Sequence, residues 1–276
     1  MVKGEIIMIK DPKEFAKQVR IDVAKILNRT NDSHIGGGYS SIDIMSVLYT
    51  KILNLDKDDL NNPNRDVFIL SKGHIAASMY TVLAHAGIIP FEDLYKHCEN
   101  GENYAGHTRR YVVPGIEASA GSLGHNFSLG LGTAYAKRIK NYDGRVFVLL
   151  GDGECNEGSV WESAMFGSRF NLNNLVVIVD RNMLQSYGSD EQVLNMGDMA
   201  EKFRAFGWNT LDIDGHNYDE IYDALKEETS KNSDKPIAVI AHTVKGKGVT
   251  FMENKLEWHF KSPNDEQLKI ALEELK

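Results

Sequence analysis

The stretch VFVLLGDGECNEG, residues 146–158, joins an apolar run to a turn rich in glycine and acidic residues. The segment 146–150 has the length and composition of a buried β-strand. Helical periodicity begins near Asn156, so the glycines lie between a strand and a helix start. Unpaired N–H groups at a helix start attract anions, and glycine lets the anion come close. This order predicts a phosphate-binding turn in an α/β protein.

Outward from this stretch, apolar strand-like runs alternate with helical patterns. Further strands are predicted at 66–71, 175–179, 210–213 and 237–241. Helices are predicted at 12–28, with Asp11 as the N-cap and Pro12 at the first position, and at 41–53 (after a glycine-rich turn at 36–38), 74–86, 156–170, 198–206 and 217–231. Continuous apolar strands that alternate with helices are typical of a parallel sheet covered on both faces. We therefore expect a single α/β domain over residues 1–276, built on a doubly wound, mostly parallel sheet flanked by helices, with ligands at the carboxyl ends of the strands.

Composition excludes several classes of protein. The chain has 276 residues, 31 Lys+Arg and 39 Asp+Glu, which gives a formal net charge of −8; 42% of its residues are hydrophobic. This balance is that of a globular protein, and the acidic total argues against broad nucleic-acid binding. Its apolar runs are too short to span a bilayer, and its first residues lack a secretion signal. With only two cysteines, Cys98 and Cys155, no disulfide framework is predicted, and we expect a cytoplasmic protein with no membrane partner.

The carboxylate of Asp152 points to a metal at the predicted turn. A carboxylate there would repel a phosphate unless a cation lay between them, and Mg²⁺ suits that place. The next strand ends at Asp180, and Asn182 follows it. Because neighbouring parallel strands end at the same edge of a sheet, Asn182 can reach the same cation. The Gly-Asp-Gly tripeptide alone favours an ordinary turn, and Asn182 changes that balance towards a metal–phosphate site.

Competing phosphate and zinc motifs are incomplete. Walker A spacing begins at Gly153, but Ser159 occupies the lysine position, and no strand is followed by a full G-x-G-x-x-G. Five of the nine histidines lie in or beside glycine- or serine-containing loops or helix starts: His34, His74, His107, His125 and His259. Neither H-E-x-x-H nor a paired C-x-x-C occurs, and Cys98 with His97 and His107 is too loosely spaced to predict a zinc site.

Seven segments in chain order resemble those of one enzyme family. They are SHIGG (33–37), ILSKGH (69–74), AGH (105–107), GSLG (121–124), GDGECNEGSVWES (151–163), DRN (180–182) and TVKGKG…WH (243–259). Over nearly its whole length the chain resembles the N-terminal, diphosphate-binding portion of transketolase. Since full-length members continue into a pyrimidine-binding domain and a C-terminal domain, it looks like the first subunit of a split transketolase.

The resemblance implies thiamine diphosphate and Mg²⁺ as cofactors, with Ca²⁺ or Mn²⁺ able to replace Mg²⁺. The implied metal ligands are the side chains of Asp152 and Asn182 and the backbone carbonyl of Leu184. Residues implied to contact the cofactor are His74, Gly121, Leu123, Gly153, Glu154, Asn182 and His259. Residues implied to act in catalysis are His34, His107 and His259, which would line the substrate channel, and Glu157, which would link two active sites across a dimer.

The implied reaction transfers a two-carbon ketol unit from a ketose, as a phosphate or a related anionic sugar, to an aldose acceptor. The activating glutamate and most residues that grip the substrate phosphate belong to the pyrimidine-binding domain, so we expect activity only with a partner chain, as two copies of each. One alternative is the α-type subunit of a 2-oxoacid dehydrogenase, and another is a non-catalytic cofactor-binding subunit. The sequence does not identify the sugar.

Three positions depart from the pattern of the family. His125 stands where glutamine is usual, Phe260 follows His259 where glycine is common, and Arg109-Arg110 replaces a frequent Pro-Glu pair. We expect the first two to change contacts near the cofactor without abolishing binding. The arginines could favour an anionic acceptor, although a solvated loop is the simpler interpretation.

Overall fold

A computed structural model describes residues 9–276. Its first helix, α1 (Pro12–Thr30), begins where the sequence predicts. The Asp11 side chain accepts a hydrogen bond of 2.8 Å from the Glu14 amide. Pro12 fits the first turn because a backbone N–H at this position would have no partner within the helix, so that proline, which has no N–H, loses no hydrogen bond. Asn31 ends the helix in a left-handed conformation, with φ 52°. The N-cap prediction is therefore confirmed.

The second helix corrects the sequence prediction. Helix α2 (Ile35–Val47) starts six residues before Ser41, so the three glycines at 36–38 lie inside the helix and not in a turn. They allow close packing: a Cβ on Gly36 would lie 3.0 Å from the Trp258 carbonyl oxygen, and one on Gly38 only 2.3 Å from Ser78 Oγ. A π-helical turn, Leu48–Ile52, then ends this segment.

Within residues 9–276, five parallel strands form one sheet. They are β1 (Val67–Leu70), β2 (Val146–Gly151), β3 (Leu175–Arg181), β4 (Asn209–Asp214) and β5 (Ile237–His242), in the order β1-β2-β3-β5-β4. The path advances from β1 to β4 and returns to insert β5 between β3 and β4. The predicted α/β fold with a parallel sheet is confirmed.

The remaining helices connect or flank these strands. They are α3 (Ala76–His85), α4 (His125–Ile139), α5 (Gly158–Arg169), α6 (Asp190–Leu194), α7 (Met199–Ala205), α8 (Tyr218–Leu225), α9 (Glu227–Lys231) and α10 (Asp265–Glu274). The sequence prediction missed α4, α6 and α10. It also joined α8 and α9, which are separated at Lys226, where ψ is 160° and the chain is extended.

Helices cover both faces of the sheet, as the continuous apolar strands require. Phe147 and Leu149 of β2 pack in the core that contains α1, α2, α3 and α8, whereas Val146 and Val148 pack in the core with α4, α5 and α7. This alternation follows from the two-residue period of a strand. Among residues 9–276, no helix has both the length and the apolar character needed to span a membrane.

Candidate functional site

One cavity of about 430 Å³ lies where the carboxyl ends of β2, β3 and β5 meet. The strand register brings these ends together, since Gly151 pairs with Asp180 and Asp180 with Ala241. All twelve site residues that the sequence singled out line this cavity: His34, His74, His107, Gly121, Leu123, Asp152, Gly153, Glu154, Glu157, Asn182, Leu184 and His259. Residues separated by more than 200 positions in the chain thus share one site.

The carboxylate of Asp152 is fixed by backbone groups at the end of β2. Its Oδ1 accepts a hydrogen bond from the Gly153 amide at 2.7 Å, and its Oδ2 accepts one from the Met183 amide at 2.6 Å. Burial, and then the nearby charge of Asp180, raise the pKa of Asp152 above its ordinary value. A buried carboxylate beside a second carboxylate suits a cation, because the cation relieves both their desolvation and their repulsion.

Asn182 and Leu184 follow β3 at the same edge of the sheet. The side-chain nitrogen Nδ2 of Asn182 donates to Asp180 Oδ2 at 3.2 Å. Its side-chain oxygen Oδ1 accepts from the backbone amide of Leu184 at 3.1 Å. The carbonyl oxygen of Leu184 accepts a hydrogen bond of 2.8 Å from Lys245. Oxygen atoms of the three residues implied as metal ligands therefore line one wall of the cavity.

Glu154 ties the glycine-rich segment 121–124 to the end of β2. Its Oε1 accepts from the Gly124 amide at 2.8 Å and from the Ser71 hydroxyl, and its Oε2 accepts from the Gly151 amide at 3.1 Å. Because protein groups occupy both oxygens, this carboxylate positions the loop beside the cavity. Glu157, in contrast, is exposed at the cavity edge.

Two buried lysines line the cavity, and neither was predicted as a site residue from the sequence. Lys72 forms an ion pair with Asp180 and donates to the Gly37 carbonyl oxygen at 3.0 Å. Lys245 donates to Leu184 O and to Nδ1 of His259, each at 2.8 Å. Burial, and then the charge of Lys72, lower the pKa of Lys245 to about 8, which leaves the Lys245 side chain mostly charged at neutral pH. Both lysines lie in segments that carry the family resemblance, which is the signal that could have identified them.

Four of the histidines form a cluster at the cavity. The ring centroid of His34 lies 5.0 Å from that of His74, 5.2 Å from that of His259 and 6.2 Å from that of His107. Burial is the main cause that lowers the pKa of His34 to about 4 and that of His259 to about 3, and it takes the pKa of His74 well below its ordinary value. These three rings are therefore neutral at pH 7 and can donate or accept hydrogen bonds.

The three departures from the family pattern occupy different surroundings. Phe260 lines the cavity and is 58% exposed, with its ring 4.7 Å from that of His259. His125 is exposed at the start of α4 and is not among the residues that line the cavity, so the expectation that it lies near the cofactor is not supported. Arg109 and Arg110 are exposed, and Arg110 stacks over the Tyr111 ring at 4.5 Å.

The residues present fit an anionic cofactor held by a hard cation. Asp152 and Asn182 supply oxygen donors, which Mg²⁺ prefers, and the ammonium groups of Lys72 and Lys245 face the same space. Oδ1 of Asn156, another residue of the cavity wall, is buried without a hydrogen-bond partner among the described residues. At Gly121 φ is 148° and no atom lies within 4 Å of an added Cβ, so the backbone is open to a ligand there.

Comparisons with known proteins agree with this geometry. A family model described as "Transketolase, thiamine diphosphate binding domain" matches residues 12–275. An apulose-4-phosphate transketolase subunit of Actinobacillus succinogenes is 37% identical over 263 residues, which cover 95% of this chain and 94% of that protein. The 6-deoxy-6-sulfo-D-fructose transketolase subunit SqwG of a Clostridium species is 33% identical over 265 residues, which cover 96% of each chain.

The similarity extends to the fold of a solved structure. Transketolase from Campylobacter jejuni superimposes with a TM-score of 0.89 at 29% identity, over 98% of this chain and 43% of that one. The chain thus spans less than half of the transketolase chain whose fold it shares. By its sequence, its fold and the matching family model, the chain belongs to the transketolase family, through the thiamine diphosphate-binding domain.

Proposed function

We propose that the chain is the diphosphate-binding subunit of a two-subunit transketolase, which transfers a two-carbon ketol unit from a ketose to an aldose. The observation that carries the proposal is the single cavity that joins Asp152 and Asn182 to four histidines. Two relatives that match the chain over nearly their whole length are named as transketolase subunits. We treat residues 1–276 as one domain, since all five strands of the described residues, 9–276, belong to one sheet.

Asp152, Asn182 and the Leu184 carbonyl would hold Mg²⁺, while Lys72, Lys245 and His74 would bind the diphosphate. Ca²⁺ or Mn²⁺, which also take oxygen ligands, could replace Mg²⁺. The lysines would place positive charge beside the anion. When bound, thiamine diphosphate supplies the electron sink that breaking a carbon–carbon bond needs.

The histidines would bind the sugar and move protons. Neutral His34 and His259 can hydrogen-bond to sugar hydroxyls without placing a cation beside the lysines. Nδ1 of His259 accepts from Lys245, so its Nε2 carries the hydrogen and can donate it. His107 is exposed at the cavity edge, where an incoming substrate would meet it. Each such proton-transfer group typically contributes about 10²–10⁴-fold in rate.

A partner subunit would close the cavity. Large apolar side chains are exposed on its rim: Tyr187 is 88% exposed, Phe260 58% and Val193 40%. Clusters of exposed aromatic and apolar groups mark protein interfaces. We propose that a C-terminal transketolase subunit with the pyrimidine-binding domain and the activating glutamate covers this rim, with two copies of each chain, and that Glu157 at the edge connects the two sites.

The donor would be an anionic ketose. The relatives are named for a phosphorylated sugar and for a sulfonated one, and each of these sugars carries a strong anion. We place the enzyme in the cytoplasm, which suits two cysteines that are both free.

The test is a ketol-transfer assay on the complex reconstituted with its C-terminal subunit, Mg²⁺ and thiamine diphosphate. We expect cleavage of a phosphorylated or sulfonated ketose and no turnover of 2-oxoacids. Oxoacid turnover without ketose cleavage would instead identify an α-type dehydrogenase subunit.

Alanine variants of His107 and His259 separate the catalytic role from mere cofactor binding. Each is expected to lose about 10²-fold or more in kcat. Unchanged turnover in both variants would favour the non-catalytic alternative. Exchange of His242 for alanine is the matched control, because that ring is exposed and pairs with Asp212 away from the cavity.

A further inference from the structure

Three side chains from two separate segments meet behind the histidine cluster. Nε2 of His97 lies 2.9 Å from Oδ2 of Asp32, and Sγ of Cys98 lies 3.5 Å from Nε2 of His97 and 3.7 Å from Oδ2 of Asp32. Along the chain, the spacing of His97 and Cys98 from His107 is too loose to predict a metal site. The structure supplies Asp32 as the third group, which no spacing along the chain could reveal.

The separations of these three atoms match those of ligands around one metal ion. Tetrahedral zinc with bonds of about 2.0–2.3 Å places its ligand atoms about 3.3–3.7 Å apart. The two contacts of the sulfur already satisfy this requirement, and the His97–Asp32 pair would need to open by only about 0.4 Å. Sulfur, imidazole nitrogen and carboxylate oxygen together favour zinc-class cations over Mg²⁺.

We propose that Asp32 Oδ2, His97 Nε2 and Cys98 Sγ form a binding site for a zinc-class divalent cation, separate from the magnesium site at Asp152. Binding replaces the thiol proton, which passes to solvent, so that one thiolate and one carboxylate balance the two charges of the metal. Because Cys98 is exposed, the fourth position faces solvent and takes a water molecule.

The local backbone holds the three ligands in place. Cys98 has φ 56°, an uncommon value for a residue other than glycine, and its amide donates to the Tyr104 carbonyl oxygen at 2.8 Å. The ring of His97 is buried and packs edge-on against Tyr80 at 5.9 Å. Its Nδ1 has no hydrogen-bond partner among the described residues, so the contacts at Nε2 decide its orientation.

The site lies next to the proposed substrate-binding histidines. Asp32 precedes His34 by two residues, and a Cβ on Gly106 would lie 3.3 Å from Asp32 Oδ2. A bound cation would therefore tie the turn between α1 and α2 to the loop that carries His107. Metal occupancy would hold His34 and His107 at a fixed separation.

The test is titration of the full chain with Co²⁺ in excess Mg²⁺, which saturates the proposed magnesium site at Asp152. Co²⁺ is a spectroscopic substitute for Zn²⁺. We expect one equivalent to bind with a sulfur-to-cobalt charge-transfer band, and Zn²⁺ to displace it. Cys98→Ser should abolish the band and weaken Zn²⁺ binding by about tenfold or more. This exchange lies on the surface, and equal thermal unfolding midpoints without metal will show that the fold is retained.

Two controls separate this site from others. Cys155→Ala removes the buried thiol, and Asp212→Asn disrupts the exposed His242–Asp212 pair, which lacks a thiol. Both variants should keep the band. Absence of the band from the wild-type chain, its survival in Cys98→Ser, or its loss in Cys155→Ala alone would overturn the proposal.

Discussion

Lys245 donates a hydrogen bond of 2.8 Å to Nδ1 of His259, which places a buried ammonium group against an imidazole of the cavity wall. The contact sets the tautomer of His259, whose Nε2 then carries the hydrogen and lies 3.2 Å from the Ser186 hydroxyl. A buried positive charge and a neutral hydrogen-bond donor thus lie side by side in the cavity wall. In the proposed enzyme, Lys245 would supply the positive charge for the diphosphate, and the adjacent His259 would supply the hydrogen-bond donor for the sugar.

Lys245→Met tests the charge in this pair. Methionine keeps much of the side-chain volume and removes the ammonium group, so pyrophosphate with Mg²⁺ should bind about 10–100-fold more weakly, the value of a charge-assisted hydrogen bond. Calorimetric titration measures the affinity. Lys247→Met is the matched control, because Lys247 is partly exposed and its contact with Glu253 is long, at 4.0 Å. This variant should bind pyrophosphate with the affinity of the wild type. Equal affinity of wild type and Lys245→Met would show that this ammonium does not hold the anion.

The buried histidines predict how stability depends on pH. Their folded pKa values, about 4 for His34, about 3 for His259 and well lowered for His74, lie below the unfolded value of about 6.5. At a pH between the folded and the unfolded pKa values, the unfolded chain binds more protons than the folded chain. The contribution of these histidines to stability is therefore complete above pH 6.5 and is lost as the pH falls towards 4. We expect a loss of about 1–3 kcal/mol in the free energy of unfolding, with allowance for partial exposure.

Urea unfolding at pH 7 and at pH 4.5 measures this effect. The raised pKa values of Asp152 and Glu154 act in the opposite direction, so the histidine contribution is the difference between wild type and a variant with glutamine at positions 34, 74 and 259. The wild type should lose more stability on acidification than this variant. His242→Gln, at an exposed site, should behave as wild type, and parallel pH dependence of the triple variant and wild type would refute the explanation.

Asp152→Asn separates binding from stability. The substitution removes a buried negative charge that lies near Asp180, so the chain without cofactors should unfold at the same or a higher urea concentration. Mg²⁺-dependent binding of pyrophosphate should weaken by at least about a hundredfold, because a metal ligand is lost. Asp143→Asn, at an exposed position away from the cavity, serves as the control. Retention of Mg²⁺-dependent binding by Asp152→Asn would exclude this carboxylate as a ligand.

A buried ion pair supports the segment that carries Lys245. Asp43 accepts hydrogen bonds from both terminal nitrogens of Arg20, at 2.8 Å each, and from His216 at 2.7 Å, while His216 accepts from the Val244 amide. Burial alone would raise the pKa of Asp43, but Arg20 and these hydrogen bonds hold it well below its ordinary range. The network joins α1 and α2 to the loop after β5.

Asp43→Asn should lower the free energy of unfolding by about 3–5 kcal/mol, since it leaves the buried Arg20 without its counter-ion. Chemical denaturation measures the change. The exposed pair Lys57–Asp58 offers the control, and Asp58→Asn should cost less than about 1 kcal/mol. A loss of similar size in the two variants would mean that the Asp43 pair contributes no more than a surface contact.

Much of the fold follows from local signals in the sequence. Asp11 and Pro12 identify the start of α1, and the apolar runs identify the parallel sheet. The prediction of a turn at the glycines 36–38 was wrong, because these residues lie inside α2. There they allow close packing against Trp258 and Ser78, which are far away in the chain and cannot be identified from local sequence. Helix α4 is hard to predict because Gly130 and Gly132 lie inside it and glycine has a low helix propensity. The fold needs glycine at position 130, since a Cβ there would lie 2.4 Å from a Val148 methyl carbon.

The sequence motifs predict the candidate site, but they do not predict that Lys72 and Lys245 are buried in its wall. Asp152 and Asn182 could be placed together from strand order alone, since parallel strands end at one edge. Burial of Lys72 and Lys245 depends on Asp180 and on the Leu184 carbonyl, partners that only the folded chain brings within reach. Lysine is almost never fully buried without a partner, so its type alone gives no reason to expect it in a cavity wall.

The central claim is that this cavity is half of a transketolase active site. The most direct test is ketol transfer from a panel of phosphorylated and sulfonated ketoses, measured while the C-terminal subunit is added to a fixed amount of this chain with Mg²⁺ and thiamine diphosphate. We predict no turnover by the chain alone and activity that rises to saturation at one partner per chain. Turnover of any of these ketoses by the purified chain alone, or no turnover at any partner concentration, would contradict the account.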